Sequence, residues 1–275
     1  MDADKGHRLQ NEVFKKGSRT YFTSSLFFAP EMRRDVQILY AFVRVADNFV
    51  DAVPQNATGF AGFCDRYRRS LEGKPTEDPI IDDYVDLAHR KRFDPAWTEA
   101  FLGAMNADLS RRAYDSLEEG LGYIYGSAEV IGLFMARIMD LPDKALPYAQ
   151  LLGRAMQYIN FIRDIDEDLR LGRRYLPLGP AGTLPLDAEH ATAHPEEFRL
   201  FIDYHLSLYK GWQEQAEKGL AMIPRRYRIP IRTASDMYRW TARRIEYDPW
   251  IVFRRKVKPA KSRIVLTALG NAVAG

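Results

Sequence analysis

The chain has 275 residues, of which 46% are hydrophobic and 28% are charged, and a formal net charge of +3. This composition predicts a globular protein with a sizeable core, and the small net charge gives no reason to expect a nucleic-acid partner. The single cysteine, Cys64, excludes an internal disulfide and a cysteine-ligated zinc site, and no apolar run approaches the ~20 residues that span a bilayer, so we expect a cytoplasmic protein without a membrane-spanning segment.

Helical periodicity runs along most of the chain. Residues 35–45 carry apolar side chains at the i, i+3, i+4, i+7 spacing of a helix face, and 117–140 is apolar nearly all round, which predicts a helix in the middle of a bundle. Further helices are predicted over 148–171 and 196–222, whereas 177–195, rich in proline and glycine, is predicted to be a long loop. No strand–helix alternation and no glycine-rich phosphate loop is found. The sequence therefore predicts one all-α domain of about eight to ten helices.

Two sets of oxygen-bearing side chains are spaced so that each shares a helix face. Asp47 and Asp51 are one turn apart, and Asn160, Asp164 and Asp168 repeat that spacing at i, i+4 and i+8. Like charges at this spacing destabilise a bare helix. Oxygen ligands of this kind suit Mg²⁺, which completes its shell with water or substrate phosphates. The pattern alone also fits an ordinary solvated helix face, so it does not distinguish a metal site from a surface helix.

A third acidic stretch, at residues 82–86, spells D-D-x-x-D, which is a known metal-binding motif. It directly follows Pro79 and two apolar residues at a predicted helix start. Acidic residues are favoured there because they face the positive end of the helix dipole. We therefore interpret this stretch as structural and not as a metal site.

Three stretches carry a resemblance to a known family: YAFVRVADNFVD at 40–51, YGSAEVIGL at 125–133, and NFIRDIDEDLRLGRRYLP at 160–177. In this order and spacing they resemble the signature regions of the squalene/phytoene synthase family. Two further stretches, SRTYFTSSLFFAP at 18–30 and MNADL at 105–109, are similar to other segments of that family. The resemblance implies one all-α helical bundle of the isoprenoid synthase type over residues 1–275, with a central apolar cavity.

The activity that this resemblance implies is a Mg²⁺-dependent prenyl transfer, with Mn²⁺ as a substitute ion. Two prenyl diphosphates are joined head to head through a cyclopropylcarbinyl diphosphate, and bound metal neutralises the leaving diphosphate. Phytoene-type enzymes finish by losing a proton, whereas squalene-type enzymes take hydride from NADPH. We expect phytoene from two geranylgeranyl diphosphates. The alternative is a C30 synthase that makes squalene or dehydrosqualene from two farnesyl diphosphates, and NADPH enters only with squalene.

The resemblance also implies roles for individual residues. The expected metal ligands are Asp47, Asp51, Asn160, Asp164 and Asp168. The expected substrate-binding residues are Ser18, Tyr21, Arg44, Gln157, Arg163, Tyr238, Arg255 and Lys261. Tyr123 is expected beside the carbocation, where its hydroxyl influences proton loss, and it joins the four aspartates as catalytic. Two other basic residues, Lys258 and Arg263, compete with Lys261 for its role. Asn48 departs from the family's frequent second aspartate, which puts only the charge density there in doubt.

A function without catalysis is the second class to weigh. A helical protein with the basic run FRRKVKPAKSR at 253–263 fits a binder of nucleic acid or of a membrane surface. Scattered basic residues and two intact aspartate sets favour the enzyme. The basic run itself is either a solvated face or a contact with anionic lipid, so we keep peripheral membrane contact as an interpretation.

Overall fold

The structure is a computed structural model that describes residues 3–17, 22, 25, 26, 28–178 and 186–274. Ser18 and Tyr21, which the sequence assigns to the first substrate site, lie outside the described residues. The described part is helical, and its extended pairing is limited to an isolated bridge between Ala113 and Arg174. The all-α class predicted from the sequence is confirmed.

The helices of the described part follow one another in this order: α1 (Ala3–Gly17), α2 (Pro30–Asp51), α3 (Ala57–Leu71), α4 (Pro79–Lys91), α5 (Pro95–Ala107), α6 (Leu117–Ile124), α7 (Val130–Ile138), α8 (Leu146–Arg163), α9 (Ile165–Arg170), α10 (Ala188–Ala193), α11 (Pro195–Glu217), α12 (Arg225–Tyr247), α13 (Ile251–Arg254) and α14 (Lys261–Ala274). A π-helical segment, Tyr125–Glu129, joins α6 to α7, and two 3₁₀ segments, Asp143–Ala145 and Lys218–Met222, flank α8 and α11. The described residues thus hold more helices than the eight to ten expected. The excess comes from short helices such as α9, α10 and α13.

The structure differs from the sequence prediction in two segments, 148–171 and 177–195. The helix predicted over 148–171 is interrupted at Asp164, whose φ of −101° and ψ of 15° leave the helical region. The backbone hydrogen bonds continue across this break, from Asp164 N to Asn160 O at 2.8 Å and from Asp168 N to Asp164 O at 2.9 Å. The spacing of apolar residues along the sequence therefore does not reveal the break. The loop predicted over 177–195 contains α10, which Asp187 caps by accepting a hydrogen bond from His190 N at 2.7 Å.

Helix α8 lies at the centre of the bundle. It packs against α7, α11, α12 and the π-helical segment. Gly132 of α7 permits the close approach, since a Cβ there would lie 2.1 Å from the carbonyl oxygen of Ala149. The π-helical segment ends at Glu129, which is fully buried and accepts hydrogen bonds from Gln150 and Arg154 of α8, both at 2.5 Å. A paired and hydrogen-bonded carboxylate of this kind is tolerated in a core.

The D-D-x-x-D stretch lies at the start of α4, where Asp78 is the N-cap residue and Pro79 opens the helix. Asp82 accepts hydrogen bonds from Ser70 and from the backbone and hydroxyl of Thr76. Asp86 pairs with Arg90 at 2.7 Å. The carboxylates of this stretch therefore serve the helix start and its neighbours, as the sequence interpretation predicts.

Candidate active site

Two adjoining cavities lie between the helices of the bundle. The first, which we call the acid cavity, has a volume of about 580 Å³ and is lined by both predicted aspartate sets. The second, the apolar cavity, has a volume of about 300 Å³ and a wall of mainly aliphatic and aromatic side chains. Five residues line both: Tyr40, Val43, Ser127, Gln157 and Asn160. A polar pocket thus adjoins an apolar one, which suits a ligand with a charged head and a hydrocarbon chain.

The first aspartate set lies on the last two turns of α2. Asp47 pairs with Arg44 one turn earlier. Asp51 pairs with Arg173, whose Nη1 lies 2.9 Å from Asp51 Oδ1. Burial, and next the neighbouring Asp51 carboxylate, raise the pKa of Asp47 to about 7, against the lowering effect of Arg44. This end of α2 therefore places two carboxyl groups close together in a partly buried environment.

The second set lies where α8 ends and α9 begins. Asp164 receives two hydrogen bonds from Arg163, at 2.8 and 2.5 Å, and its Oδ1 lies 3.5 Å from Lys256 Nζ. Burial, followed by the charges of Asp164 and Glu167, raises the pKa of Asp168 to about 8. Asn160, one turn before Asp164, has a buried Oδ1 with no hydrogen-bond partner among the described residues. Buried polar atoms almost always have a partner, so this oxygen points to a ligand of the site.

The chemistry of this donor set fits Mg²⁺. The five candidate ligands offer only carboxylate and amide oxygens, which are hard ligands. Burial, and next the neighbouring carboxylates, raise the pKa of Asp47 and of Asp168, so a bound cation would stabilise their charged forms. The break at Asp164 places Asp168 on a separate short helix, so the two sets come from three helices that face one cavity.

The sequence prediction lacks several site residues, among them Asp108, Arg173 and Tyr175. Asp108 is buried and accepts hydrogen bonds from Tyr123 at 2.6 Å and from Tyr175 at 3.0 Å. Arg173 is also buried and donates to Val50 O at 2.7 Å besides pairing with Asp51. Both Asp108 and Arg173 lie inside stretches that carry the family resemblance, but spacing along the chain does not show that they meet across the fold.

Tyr123 lines the acid cavity, within a group of aromatic rings. Its centroid lies 5.2 Å from that of Tyr175 and 6.2 Å from that of Phe161. Burial, followed by the charges of Tyr175 and Asp108, raises its pKa well above the ordinary value. Because the hydroxyl proton is donated to Asp108, Tyr123 is a neutral donor and ring surface and not a base.

The other predicted substrate-binding residues divide into two groups. Arg44, Gln157, Arg163 and Tyr238 line the acid cavity. Arg255 and Lys261 are exposed and lie outside the lining of both cavities.

The lysines that line the acid cavity are Lys256 and Lys258. The chain is extended after α13, with Arg255 at φ −167° and ψ 149°. Lys256 and Lys258 line the acid cavity, while Val257 between them is buried in the core. The basic residues at the cavity are therefore these two lysines, whereas the predicted Arg255 and Lys261 lie outside its lining.

Comparison with known proteins decides the family. The sequence profile described as squalene/phytoene synthase matches residues 14–263 of the chain. The chain belongs to the squalene/phytoene synthase family. Members of this family are prenyltransferases, and the chain is a prenyltransferase of the isoprenoid synthase fold.

Individual relatives support this membership over nearly the whole length. The chain is 29% identical to a 15-cis-phytoene synthase of a Paracoccus species, with 94% of this chain and 89% of the relative covered. It is also 29% identical to a 15-cis-phytoene synthase of Pantoea ananas, with 95% and 90% covered. Several further phytoene synthases match at 25–29% identity.

Solved structures show the same fold. A dehydrosqualene synthase in complex with a ligand superposes with a TM-score of 0.85 at 19% identity, covering 98% of this chain and 96% of that one. A squalene synthase of Alicyclobacillus acidocaldarius superposes with a TM-score of 0.80 at 20% identity, covering 90% and 95%. Within the described part of the chain, no helix has both the length and the apolar character needed to cross a membrane.

Proposed function

We propose that the chain joins two molecules of geranylgeranyl diphosphate head to head into phytoene, with prephytoene diphosphate as the intermediate. The observation that carries the proposal is the convergence of both aspartate sets on one cavity that adjoins an apolar one. The relatives named 15-cis-phytoene synthase support the C20 substrate. A C30 synthase acting on two farnesyl diphosphates is the second candidate, since structures of squalene and dehydrosqualene synthases share the fold.

In this proposal Asp47, Asp51, Asn160, Asp164 and Asp168 hold Mg²⁺, with Mn²⁺ as a substitute. When bound, the metal neutralises the charge that develops on a departing diphosphate. The chain itself adds cations around the same space, because Arg44, Arg163, Lys256 and Lys258 all line the acid cavity. Burial, followed by the charges of Lys256 and Arg163, lowers the pKa of Lys258. Such mutual repulsion among cations favours binding of an anion between them.

The apolar cavity holds the hydrocarbon chains and keeps water away from the carbocation. Residues at one end of it, Gln157 and Asn160, are shared with the acid cavity, while Met139, Leu141 and Ala145 lie near the other end of α8. Tyr123, Phe161 and Tyr175 present ring faces beside the acid cavity. Aromatic faces attract a nearby cation. The Tyr123 hydroxyl donates its proton to Asp108. In this proposal, released diphosphate and not Tyr123 accepts the final proton.

We also propose that the protein makes a peripheral contact with the cytoplasmic face of a membrane, which would accept a hydrophobic product. Helix α14 exposes Leu266, Leu269 and Val273, and the exposed cations Arg255 and Lys261 lie just before it or at its start. Exposed apolar side chains next to basic ones suit an anionic lipid surface. Co-sedimentation with anionic vesicles should fall strongly in a Leu266→Glu, Leu269→Glu variant. Equal sedimentation of variant and wild type would contradict this contact.

A competition assay tests the substrate proposal. The purified protein is given equal amounts of geranylgeranyl and farnesyl diphosphate with Mg²⁺, with and without NADPH, and the hydrocarbons are identified by mass. We expect C40 product to dominate in both conditions. Dominant C30 product would move the assignment to the second candidate.

A further inference from the structure

A cluster of metal-binding side chains lies away from both cavities, at the junction of α10 and α11. His190, His194 and Glu197 each offer one ligand atom, and these atoms all lie within 4.8 Å of one another. The rings of His190 and His194 are stacked, with centroids 4.3 Å apart. None of the three residues lines the acid or the apolar cavity, so the cluster is separate from the proposed active site.

The local fold fixes the three side chains relative to one another. His190 and His194 are four residues apart, and Asp187 caps α10 through the backbone N–H of His190. His194 leaves the helical region, with φ −125° and ψ 65°, and Pro195 opens α11 directly after it. Glu197 follows in the first turn of α11. The chain therefore turns around the cluster, and its ligands come from both sides of the turn.

One ring nitrogen of His190 lacks a partner in the part of the chain that the structure describes, and this observation is independent of the composition of the cluster. The Nε2 atom of His190 is buried and has no hydrogen-bond partner among the described residues. Buried polar atoms of side chains in folded proteins nearly always have a partner. A metal ion bound through this nitrogen would supply that partner, because a neutral imidazole nitrogen is a metal ligand.

We propose that His190, His194 and Glu197 bind a zinc-class transition-metal ion. Two imidazoles and one carboxylate form a ligand set that Zn²⁺ accepts, with water in the fourth position. The same set discriminates against Mg²⁺, which prefers oxygen ligands. The chain would thus hold two chemically distinct metal sites, with oxygen ligands in the acid cavity and nitrogen ligands here.

The expected effect of this site is structural. The metal would join α10 to α11, and α10 is itself tied to the C-terminal part of the chain. Trp250 Nε1 donates to Ala191 O at 3.1 Å, and the Trp250 ring packs on Phe198 of α11 with centroids 5.5 Å apart. Trp250 directly precedes α13, which leads into the segment that carries Lys256 and Lys258. Binding a ligand only in the folded state raises the unfolding temperature.

Zinc binding to untagged protein tests the proposal without reference to activity. Zn²⁺ is titrated against a chromophoric chelator in excess Mg²⁺, which occupies the oxygen ligands of the acid cavity. We expect one high-affinity zinc ion per chain and a higher unfolding temperature in zinc. The variants are His194→Ala and Glu197→Gln, which change exposed side chains, and the matched control is His89→Ala, which removes an exposed histidine of α4.

Each ligand variant should weaken zinc binding by at least about tenfold, since loss of even an outer-shell partner of a metal costs 10- to 100-fold. The His89→Ala variant should bind zinc as the wild type does. Equal zinc affinity in wild type and both ligand variants would overturn the proposal, and so would a zinc ion lost only in the Asp47→Asn, Asp164→Asn double variant. The proposed condensation activity stands or falls separately, because no ligand of this cluster touches the cavities.

Discussion

At the scale of single residues, the site is a balance of acids and bases. Three of the aspartates form ion pairs with arginines: Asp47 with Arg44, Asp51 with Arg173 and Asp164 with Arg163. The pKa of Asp47 and of Asp168 is nevertheless raised, to about 7 and about 8. The five proposed ligands were expected from the family resemblance, and their spacing along the helices agreed with it. It did not predict Arg173 or Asp108, because contacts such as Arg173–Asp51 span 122 residues of sequence.

Neutralising one aspartate from each set should reduce activity. Asp47→Asn and Asp164→Asn should each leave the helical fold intact and reduce turnover by at least about 10²-fold, because each removes one charge from a Mg²⁺-binding oxygen set. Asp86→Asn is the matched control, an aspartate on α4 paired with Arg90 at the surface, and should change activity little. Turnover and Mg²⁺ dependence equal to wild type in both site variants would show that the metal site lies elsewhere.

The two tyrosines on Asp108 provide a second, matched pair. Tyr123 and Tyr175 donate to different oxygens of the same carboxylate, so Tyr123→Phe and Tyr175→Phe each remove one hydrogen bond from it. Each should cost about 1–3 kcal/mol of stability. Because Tyr123 is not the base, Tyr123→Phe is expected to slow the late step by less than about 10²-fold, below the usual range for general acid–base assistance, with more of the cyclopropyl intermediate accumulating than in Tyr175→Phe. Equal accumulation in both variants would assign the effect to Asp108 and not to Tyr123.

At the scale of elements, the 3.6-residue period was enough to predict an all-α bundle and the approximate position of its long helices. It did not predict the break at Asp164, the π-helical segment or α10. These features depend on partners from other helices or on a capping side chain. The π-helical segment ends at Glu129, whose buried charge is held by Gln150 and Arg154, and no local pattern shows that arrangement.

The contact between α8 and α11 predicts a pH dependence of stability. His205 of α11 is buried, and its ring accepts a hydrogen bond from Tyr158 at 2.6 Å through Nδ1 and donates to Pro177 O at 3.2 Å through Nε2. Burial lowers its pKa from 6.5 to about 4. Between these two values the unfolded chain binds more protons than the folded one, so stability falls as pH drops from about 6.5 to about 4.

The size of that loss follows from the shift of the pKa. Each pKa unit corresponds to about 1.4 kcal/mol, so this group contributes a loss on the order of 3 kcal/mol over the window. Urea unfolding of wild type and of His205→Gln at several pH values measures it. The variant starts less stable but should lack this part of the slope. Parallel pH profiles for the two proteins would contradict a buried neutral His205.

At the scale of the whole molecule, the adjoining cavities explain how one fold handles a charged head and a long chain. The apolar cavity runs along α8, where its lining extends from Tyr148 to Asn160. Twelve helical rises of about 1.5 Å each make this wall about 18 Å long. Ala145, in the 3₁₀ segment before α8, also lines the cavity beyond that stretch and is buried.

Filling that end of the cavity should change substrate preference. Ala145→Phe adds a ring before the start of α8, opposite the Asn160 end of that helix, at a cost of about 1–3 kcal/mol in stability from overpacking. We expect the ratio of C40 to C30 product to fall in the variant when both diphosphates compete. Its activity on farnesyl diphosphate serves as the internal control for folding. An unchanged ratio would place the determinant of chain length elsewhere in the cavity.

The most direct test of the account is the product that wild-type protein makes from geranylgeranyl diphosphate with Mg²⁺ and without NADPH. Proton loss needs no reductant, so we predict a C40 hydrocarbon with a central double bond, and no product once the metal is chelated. A hydrocarbon formed only when NADPH is present, or formed at the same rate after chelation, would contradict the assignment.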